Sequence, residues 1–186
     1  MSETEVNDSL DIAITVIEAA GDIALAHFRR LLALTDKFGG GHFDPVTNAD
    51  REIERFLRQQ LSGRLLNDGI TGEEEVAKVG RNGRRWVIDP IDGTQAFITG
   101  VPAWCILLGL FIDEVPVAGI MHQPYLRGTF VATSRSGWFH RGQQRIPLRA
   151  NFTTDLARAT LYSTDPGCFA QSGSGMPSHA LVAPVE

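Results

Sequence analysis

The sequence predicts an α+β fold in which two helices pack on an antiparallel sheet, and two patterns along the chain support this. Apolar residues recur at helical spacing in the first third, and short apolar runs separated by turns occupy residues 103–148. With 186 residues and a hydrophobic fraction of 43%, the chain can bury the core of one ordinary domain. We therefore predict a domain over residues 1–150 and a short second segment over residues 151–186.

Charge and hydropathy exclude several classes of protein. The net charge of −5 gives no basic surface of the kind that nucleic-acid-binding proteins carry. The longest apolar run, residues 101–112, is too short to span a bilayer and contains Pro102. The acidic N-terminus lacks the basic start of a signal peptide, and Cys105 and Cys168 have no metal-site or redox spacing. The sequence thus predicts a cytoplasmic protein with reduced thiols that binds neither nucleic acid nor membrane.

The first helix is predicted over residues 9–32, where apolar residues repeat every three or four positions. Either Asn7 or Asp8 is expected to cap its start. Residues 36–43 are expected to form a loop, because three consecutive glycines lie at its centre. That loop is either a mobile flap near a site or a plain connection.

The second helix is predicted to follow residues 45–50 and to end near Gly63. Thr47 and Asp50, three residues apart, resemble a capping box at its start. Asp50 therefore has two interpretations, a helix cap or a carboxylate that points into a site, and local sequence leaves both open. The buried stripe of this helix is expected to contain Ile53, Phe56, Leu57 and Leu61.

The stretch from Trp86 to Thr94 is predicted to be the centre of a site. Residues 86–88 are bulky and apolar, which is typical of a buried strand, and Pro90 is expected to end that strand. The strand leads directly into Asp89 and Asp92. Carboxylates beside an apolar core are costly unless they are paired or bound to a metal.

Either Glu73 or Glu74 is expected to join the two aspartates, although an acidic run is also typical of a solvated face. Oxygen ligands without clustered His or Cys favour Mg²⁺ or Mn²⁺ over zinc. The spacing Asp-x-x-Asp-x-Thr is one residue wider than the Asp-x-Asp of enzymes that form an aspartyl-phosphate, which favours attack by an activated water. If residues 95–99 are helical, the amides at their start can bind an anion. Metal-binding carboxylates beside an anion-binding helix start indicate phosphoryl chemistry.

The region after Pro102 predicts an antiparallel meander that packs against the two helices. Four of the five histidines, at positions 27, 42, 122 and 140, occur singly and are expected to be structural or exposed. The expected strands cover residues 103–112, 115–121, 128–133 and 137–141, with a short edge at 146–148.

Three motifs together resemble the inositol monophosphatase superfamily of Mg²⁺-dependent phosphatases. They are Val-Thr-Asn-Ala-Asp at 46–50, Gly-Glu-Glu at 72–74 and Trp-Val-Ile-Asp-Pro-Ile-Asp-Gly-Thr at 86–94. The continuation at 95–104 and His-Gln-Pro at 122–124 are similar to the histidinol-phosphatase branch. The resemblance implies a sugar-phosphatase-like layered α/β sandwich and, in full-length members, a homodimer.

The resemblance also implies a role for each motif residue, with two or three Mg²⁺ ions. The metal ligands would be Glu73, Asp89, the backbone carbonyl of Ile91, and Asp92, with Asp89 bridging two metals. Asp50 and Thr94 would orient the attacking water, and the amides of Gly93 and Thr94 would hold the phosphate. The implied substrate is a small phosphorylated molecule, namely histidinol phosphate of histidine biosynthesis, with inositol 1-phosphate or a related sugar phosphate as the alternative.

The end of the sequence departs from the family pattern. Members are expected to continue into a second α/β domain whose Trp-Asp motif supplies a further metal ligand. Here residues 159–163 resemble only its first strand, and residues 171–186 have a linker-like composition without a helical period. We therefore expect most of the second domain to be missing and the tail to be truncated or frame-shifted. A non-catalytic fragment with a partial metal site stays an alternative to the enzyme.

Overall fold

The computed structural model describes residues 3–30, 34–36 and 45–160. The chain divides into two compact units, Met1–Leu148 and Arg149–Glu186. In the second unit, the described residues contain a short 3₁₀ helix at Leu156–Arg158. Among the described helices, none combines the length and hydropathy needed to cross a bilayer. Several expectations lie outside the described residues, namely those on the glycines at 39–41, His42, Cys168, the tail at 171–186 and most of 159–163.

The first helix, α1, spans Glu3–His27 and so begins and ends earlier than predicted. The prediction of Asn7 or Asp8 as the N-cap is wrong, because both residues lie inside the helix. The chain leaves the helix at Arg29, which has a positive φ of 61° and donates from Nε to the Gly100 carbonyl at 3.1 Å. The apolar stripe of α1 begins one turn earlier than expected and contains Val6, Leu10, Ala13, Ile17, Ala20 and Ala24.

The second helix, α2, spans Asn48–Arg64 and confirms the prediction, including the capping box. The Thr47 side chain accepts from the amides of Ala49 at 3.1 Å and Asp50 at 3.3 Å. Before it, strands β1 (Leu34–Asp36) and β2 (Pro45–Thr47) pair in an antiparallel ribbon that the sequence did not predict. The prediction therefore started the loop at 36–43 one residue too early, since Asp36 belongs to β1. A strand of three residues is too short to show the alternation of apolar and polar residues that predicts a strand.

Within the described residues the main sheet has seven strands, and the predicted meander among them is confirmed. Strand β3 pairs with β4 in parallel, whereas all other neighbours are antiparallel. The parallel pair was not predicted, since its crossover, residues 72–83, contains no helix that would signal it. In order across the sheet the strands are β3 (Gly69–Thr71), β4 (Arg84–Asp92), β5 (Cys105–Ile112), β6 (Val115–Gln123), β7 (Gly128–Thr133), β8 (Gly137–Arg141) and β9 (Gln144–Pro147).

Strand β4 continues through Pro90 to Asp92, so the prediction that it ends at Pro90 is wrong. Asp89 pairs with Leu107 and Asp92 with Cys105, which leaves β4 one residue longer than its partner between these pairs. This is the geometry of a β-bulge. Pro90 lies inside the irregular segment, where its missing N–H removes no ladder bond.

A buried carboxylate fastens the start of β4 to its surroundings. Asp68 accepts from the Trp86 indole N–H at 2.9 Å and from the Asn82 amide at 2.8 Å, and Arg84 Nε lies 3.1 Å from it. Arg84 also donates to Ser9 on α1 at 2.5 Å. These charge-assisted bonds offset the desolvation of the carboxylate and hold α1 against the sheet. The core between the helices and the sheet contains Ile17, Ile53, Leu57, Trp86, Ile106 and Leu108.

A partly buried polar network connects α1 to the sheet. Thr129 Oγ1 donates to Glu18 at 3.1 Å, and His122 Nδ1 lies 2.9 Å from the same hydroxyl. His140 Nδ1 lies 3.2 Å from the same Glu18 oxygen. Burial lowers the pKa of His122, and the charges of Glu18 and Asp22 oppose this effect only in part. The folded state therefore favours a neutral His122, which donates from Nδ1 to Thr129.

Protonation of His122 should destabilise the fold. The unfolded His takes up a proton near pH 6.5 while the folded one resists it, so this group lowers the free energy of unfolding as pH falls below about 6.5. His122→Gln should remove the contribution of this group to the pH dependence of the free energy of unfolding. That contribution amounts to about 1.4 kcal/mol for each unit by which folding lowers the pKa. Urea unfolding at several pH values measures it. His27→Gln, beside Glu52 on the surface of α1, is the control, and an unchanged slope in His122→Gln would contradict the prediction.

Candidate active site

Five acidic residues from three parts of the chain come together at the end of β4. Asp89 and Asp92 belong to β4, Asp50 lies in the first turn of α2, and Glu73 and Glu74 follow β3. Asp89 lies within electrostatic range of Glu73, Asp92 and Asp50, and Asp50 within range of Glu74. Each glutamate thus lies within electrostatic range of a different aspartate, and the expectation that one of them joins the β4 aspartates stays a prediction.

Asp89 experiences the strongest electrostatic effect in this group. Burial, followed by the charges of Glu73 and Asp92, raises the pKa of Asp89 to about 7. Its Oδ1 atom is buried and accepts no hydrogen bond from the described residues. Such an oxygen is costly as a bare anion, so it favours either a proton or a bound cation.

Asp50 is a helix cap and also faces the site. Its Oδ2 atom accepts from the Thr47 amide at 2.8 Å and from the Thr47 hydroxyl at 2.5 Å. Burial raises the pKa of Asp50, the bonds from Thr47 lower it, and the charge of Glu74 raises it again, with a net increase. Because both capping bonds end on one oxygen, Oδ1 lies outside the cap. A cap and a role in the site are therefore compatible.

The chain after Asp92 forms a tight turn that starts the short helix α3, Thr94–Ile98, where the sequence allowed for one at 95–99. Gly93 has a φ of 86°, and a Cβ there would lie 2.8 Å from the Ala103 carbonyl oxygen. Glycine is therefore required at this position. Thr94 Oγ1 donates to the Ile91 carbonyl at 3.0 Å, which holds the hydroxyl beside the two β4 aspartates.

An aromatic cluster holds α3 in place. The rings of Phe97 and Trp104 meet edge to face at 4.8 Å, and Phe28 at the end of α1 lies 5.5 Å from Phe97 and 5.3 Å from Trp104. Packing of this kind adds to the burial of the rings. The turn at Gly93 is therefore anchored to α1 as well as to the sheet.

Cys105 was not predicted to belong to the site. Its thiol donates to Asp92 Oδ2 at 3.4 Å, and it lies opposite Asp92 in the β4–β5 register. Burial, together with the negative charge of Asp92, raises the pKa of Cys105 to about 12. The thiol therefore stays protonated and serves as a hydrogen-bond donor. Its position in an apolar run gave no sign of this contact.

Glu54 was also missed. It lies on the buried face of α2, and its carboxylate accepts from the amides of Glu73 at 2.9 Å and Glu74 at 2.7 Å. A glutamate among the apolar residues of the α2 stripe, between Ile53 and Leu57, was the signal that could have identified it.

The oxygen donors of the site are of the kind that a hard divalent cation prefers. Within the described residues, no group of three or more His, Cys, Asp or Glu side chains is arranged to hold a metal ion. Carboxylates repel one another in the absence of a cation, which opposes such an arrangement. The donors nevertheless fit, because Asp89 presents a buried oxygen without a partner and carboxylate and carbonyl oxygens are the ligands that Mg²⁺ prefers.

Comparisons with known proteins identify the family. Residues 5–168 match the inositol monophosphatase family, and the chain belongs to that family. It is 35% identical to the histidinol-phosphatase of Chlorobaculum parvum, over 84% of this chain and 58% of the relative. It is 30% identical to inositol monophosphatase 3 of Solanum lycopersicum, over 87% of this chain and 59% of the relative.

A solved structure confirms the predicted fold class. The IMPase of Thermotoga maritima aligns with a TM-score of 0.65 and 30% identity, over 72% of this chain and 52% of that structure. The predicted resemblance to the inositol monophosphatase superfamily is confirmed as well. The chain spans between half and two thirds of the length of each of these three proteins.

Removal of the Asp89 charge should stabilise the metal-free protein at neutral pH. The folded group keeps its proton up to about pH 7 and the unfolded one loses it near pH 4, so this group lowers the free energy of unfolding as pH rises between them. Asp89→Asn should remove this slope and raise the Tm in EDTA near pH 8, by about 2–4 °C for each kcal/mol. Asp11→Asn on the exposed side of α1 is the control. A lower Tm for Asp89→Asn than for the wild type near pH 8 would contradict the prediction.

Proposed function

We propose that the protein hydrolyses a phosphate monoester and that water is the nucleophile. The observation that carries this proposal is Asp89, a partly buried carboxylate with a partnerless oxygen among other acids at the end of β4. Membership of the inositol monophosphatase family supports it, as do the phosphatase names of both relatives. Because the chain covers little more than half of those relatives, its activity stays a proposal.

In this proposal the cation is Mg²⁺, with Mn²⁺ as the alternative. Its ligands are Glu73, Asp89, Asp92 and the Ile91 carbonyl. When bound, a divalent cation lowers the pKa of a coordinated water and stabilises the charge of the phosphoryl group. Cys105 supports this set, since its thiol donates to Asp92 Oδ2 and so orients that carboxylate.

Two side chains orient the attacking water in the proposed reaction. Thr94 Oγ1 donates its proton to the Ile91 carbonyl, so the hydroxyl oxygen is available to accept a hydrogen bond from water. Asp50 offers Oδ1, which lies outside its cap, and its raised pKa makes it a better proton acceptor than an ordinary carboxylate. The amides of Gly93 and Thr94 donate to the phosphate oxygens.

Histidinol phosphate is the proposed substrate. The name of the Chlorobaculum parvum relative and the motifs at 95–104 and 122–124 support it. The tomato relative, named an inositol monophosphatase, favours inositol 1-phosphate or a related sugar phosphate as the second candidate. A non-catalytic chain with a partial cation site is the third, because within the described residues no three His, Cys, Asp or Glu side chains are arranged to hold a metal ion. The cytoplasmic location, the homodimer, the number of ions and the domain boundary at residue 150 stay predictions.

Phosphate release from histidinol phosphate tests the proposed function. With Mg²⁺, the 186-residue chain should release phosphate, and Asp92→Asn should reduce the rate by more than about 100-fold because it removes a cation ligand. Asp11→Asn is the control and should retain the rate. Faster phosphate release from inositol 1-phosphate than from histidinol phosphate would identify inositol 1-phosphate as the better substrate. Equal rates in the wild type and Asp92→Asn would overturn the cation site, and no release from either substrate would favour the non-catalytic chain.

A further inference from the structure

Glu54 connects α2 to the acidic turn of the candidate site. Its side chain is fully buried, with 0% exposure. It accepts three backbone hydrogen bonds, from the amides of Glu73 at 2.9 Å, Glu74 at 2.7 Å and Glu75 at 3.0 Å. Three successive amides thus converge on one carboxyl group, whose oxygens have lone pairs for all of them.

Arg58, one helical turn further along α2, completes this connection. Its Nε donates to Glu54 at 2.7 Å, which balances the buried charge. Its terminal nitrogens donate to the backbone carbonyls of Glu75 at 2.9 Å and Val76 at 3.2 Å. Helix α2 therefore binds both the amides and the carbonyls of the turn.

The turn packs against α2 so closely at Gly72 that there is no space for a side chain there. A Cβ at that position would overlap the Glu54 carboxylate, so glycine permits the close approach of the turn to α2. Glu54 lies one turn after Asp50 on the same helix. The spacing between Asp50 and the acidic turn is therefore set by a single rigid element.

We propose that Glu54 is a positioning residue that holds residues 73–75 so that Glu73 faces Asp89 and Glu74 faces Asp50. In this role it sets the affinity of the site for a divalent cation without touching the cation or the substrate. The affinity part rests on the proposed function, whereas the effect on the conformation of the turn does not.

Glu54→Gln tests the proposal, because it keeps the shape but places an amide donor against backbone donors. Two measurements on the whole chain report the effect. Hydrogen exchange of the amides at 73–75 in EDTA should accelerate more than about 10-fold, because one of the two accepting oxygens is replaced by an NH2 group. The Kd for Mg²⁺ by calorimetry should rise about 10- to 100-fold, as for other groups that orient ligands.

Asp68→Asn is the matched control. Asp68 is also a buried carboxylate, with two hydrogen-bond donors and an ion pair with Arg84, but it lies next to the start of β3 and away from the turn at 73–75. The Asp68→Asn variant should lower the stability about as much as Glu54→Gln does. It should leave the exchange rates at 73–75 and the Kd for Mg²⁺ near the wild-type values. Gly72→Ala should reproduce the effect of Glu54→Gln from the opposite side, and it serves as the test variant if Glu54→Gln does not fold.

Faster exchange at 73–75 with weaker Mg²⁺ binding, in Glu54→Gln or Gly72→Ala but not in Asp68→Asn, would support the proposal. Unchanged exchange and Kd in the Glu54 and Gly72 variants would overturn it, as would equal effects in the Asp68 control. A wild-type chain that does not bind Mg²⁺ would overturn the cation site and the affinity part together. The exchange comparison would still decide whether Glu54 holds the turn.

Discussion

The unfavourable electrostatics of Asp89 is the constraint on which the rest of the site depends. A strand that carries Trp86 and Ile88 into the core also carries this carboxylate into a partly buried position beside Glu73 and Asp92. The protein does not relieve the repulsion with a hydrogen bond to Asp89 Oδ1 from any described residue. Either a proton or a cation must do so.

The surroundings of Asp89 are built to hold these groups together despite their repulsion. Helix α2 provides much of this support through Asp50 at its start and Glu54 and Arg58 one and two turns later. The Asp68 carboxylate fastens the beginning of β4, and Gly93 allows the chain to turn sharply at its end. Backbone hydrogen bonds and close packing thus oppose the spreading of the acidic side chains.

Much of this fold could be predicted from the sequence where turn residues and periodicity were strong. Strands at 128–133 and 137–141 agree to the residue, because polar turns flank short apolar runs. The capping box at Thr47 and Asp50 was visible because both partners lie within one turn.

Features that depend on long-range contacts were not predictable. The parallel pairing of β3 joins distant segments, and the extension of β4 past Pro90 depends on how β5 pairs with it. The buried role of Glu54 depends on a turn about 20 residues away in sequence.

Carbon NMR of the Asp89 side-chain carboxyl tests directly whether the carboxylates around Asp89 form a divalent-cation site. We expect the pKa of this carboxyl to be about 7 in EDTA and to fall below its ordinary value when Mg²⁺ is added. A pKa that does not respond to Mg²⁺ would contradict it.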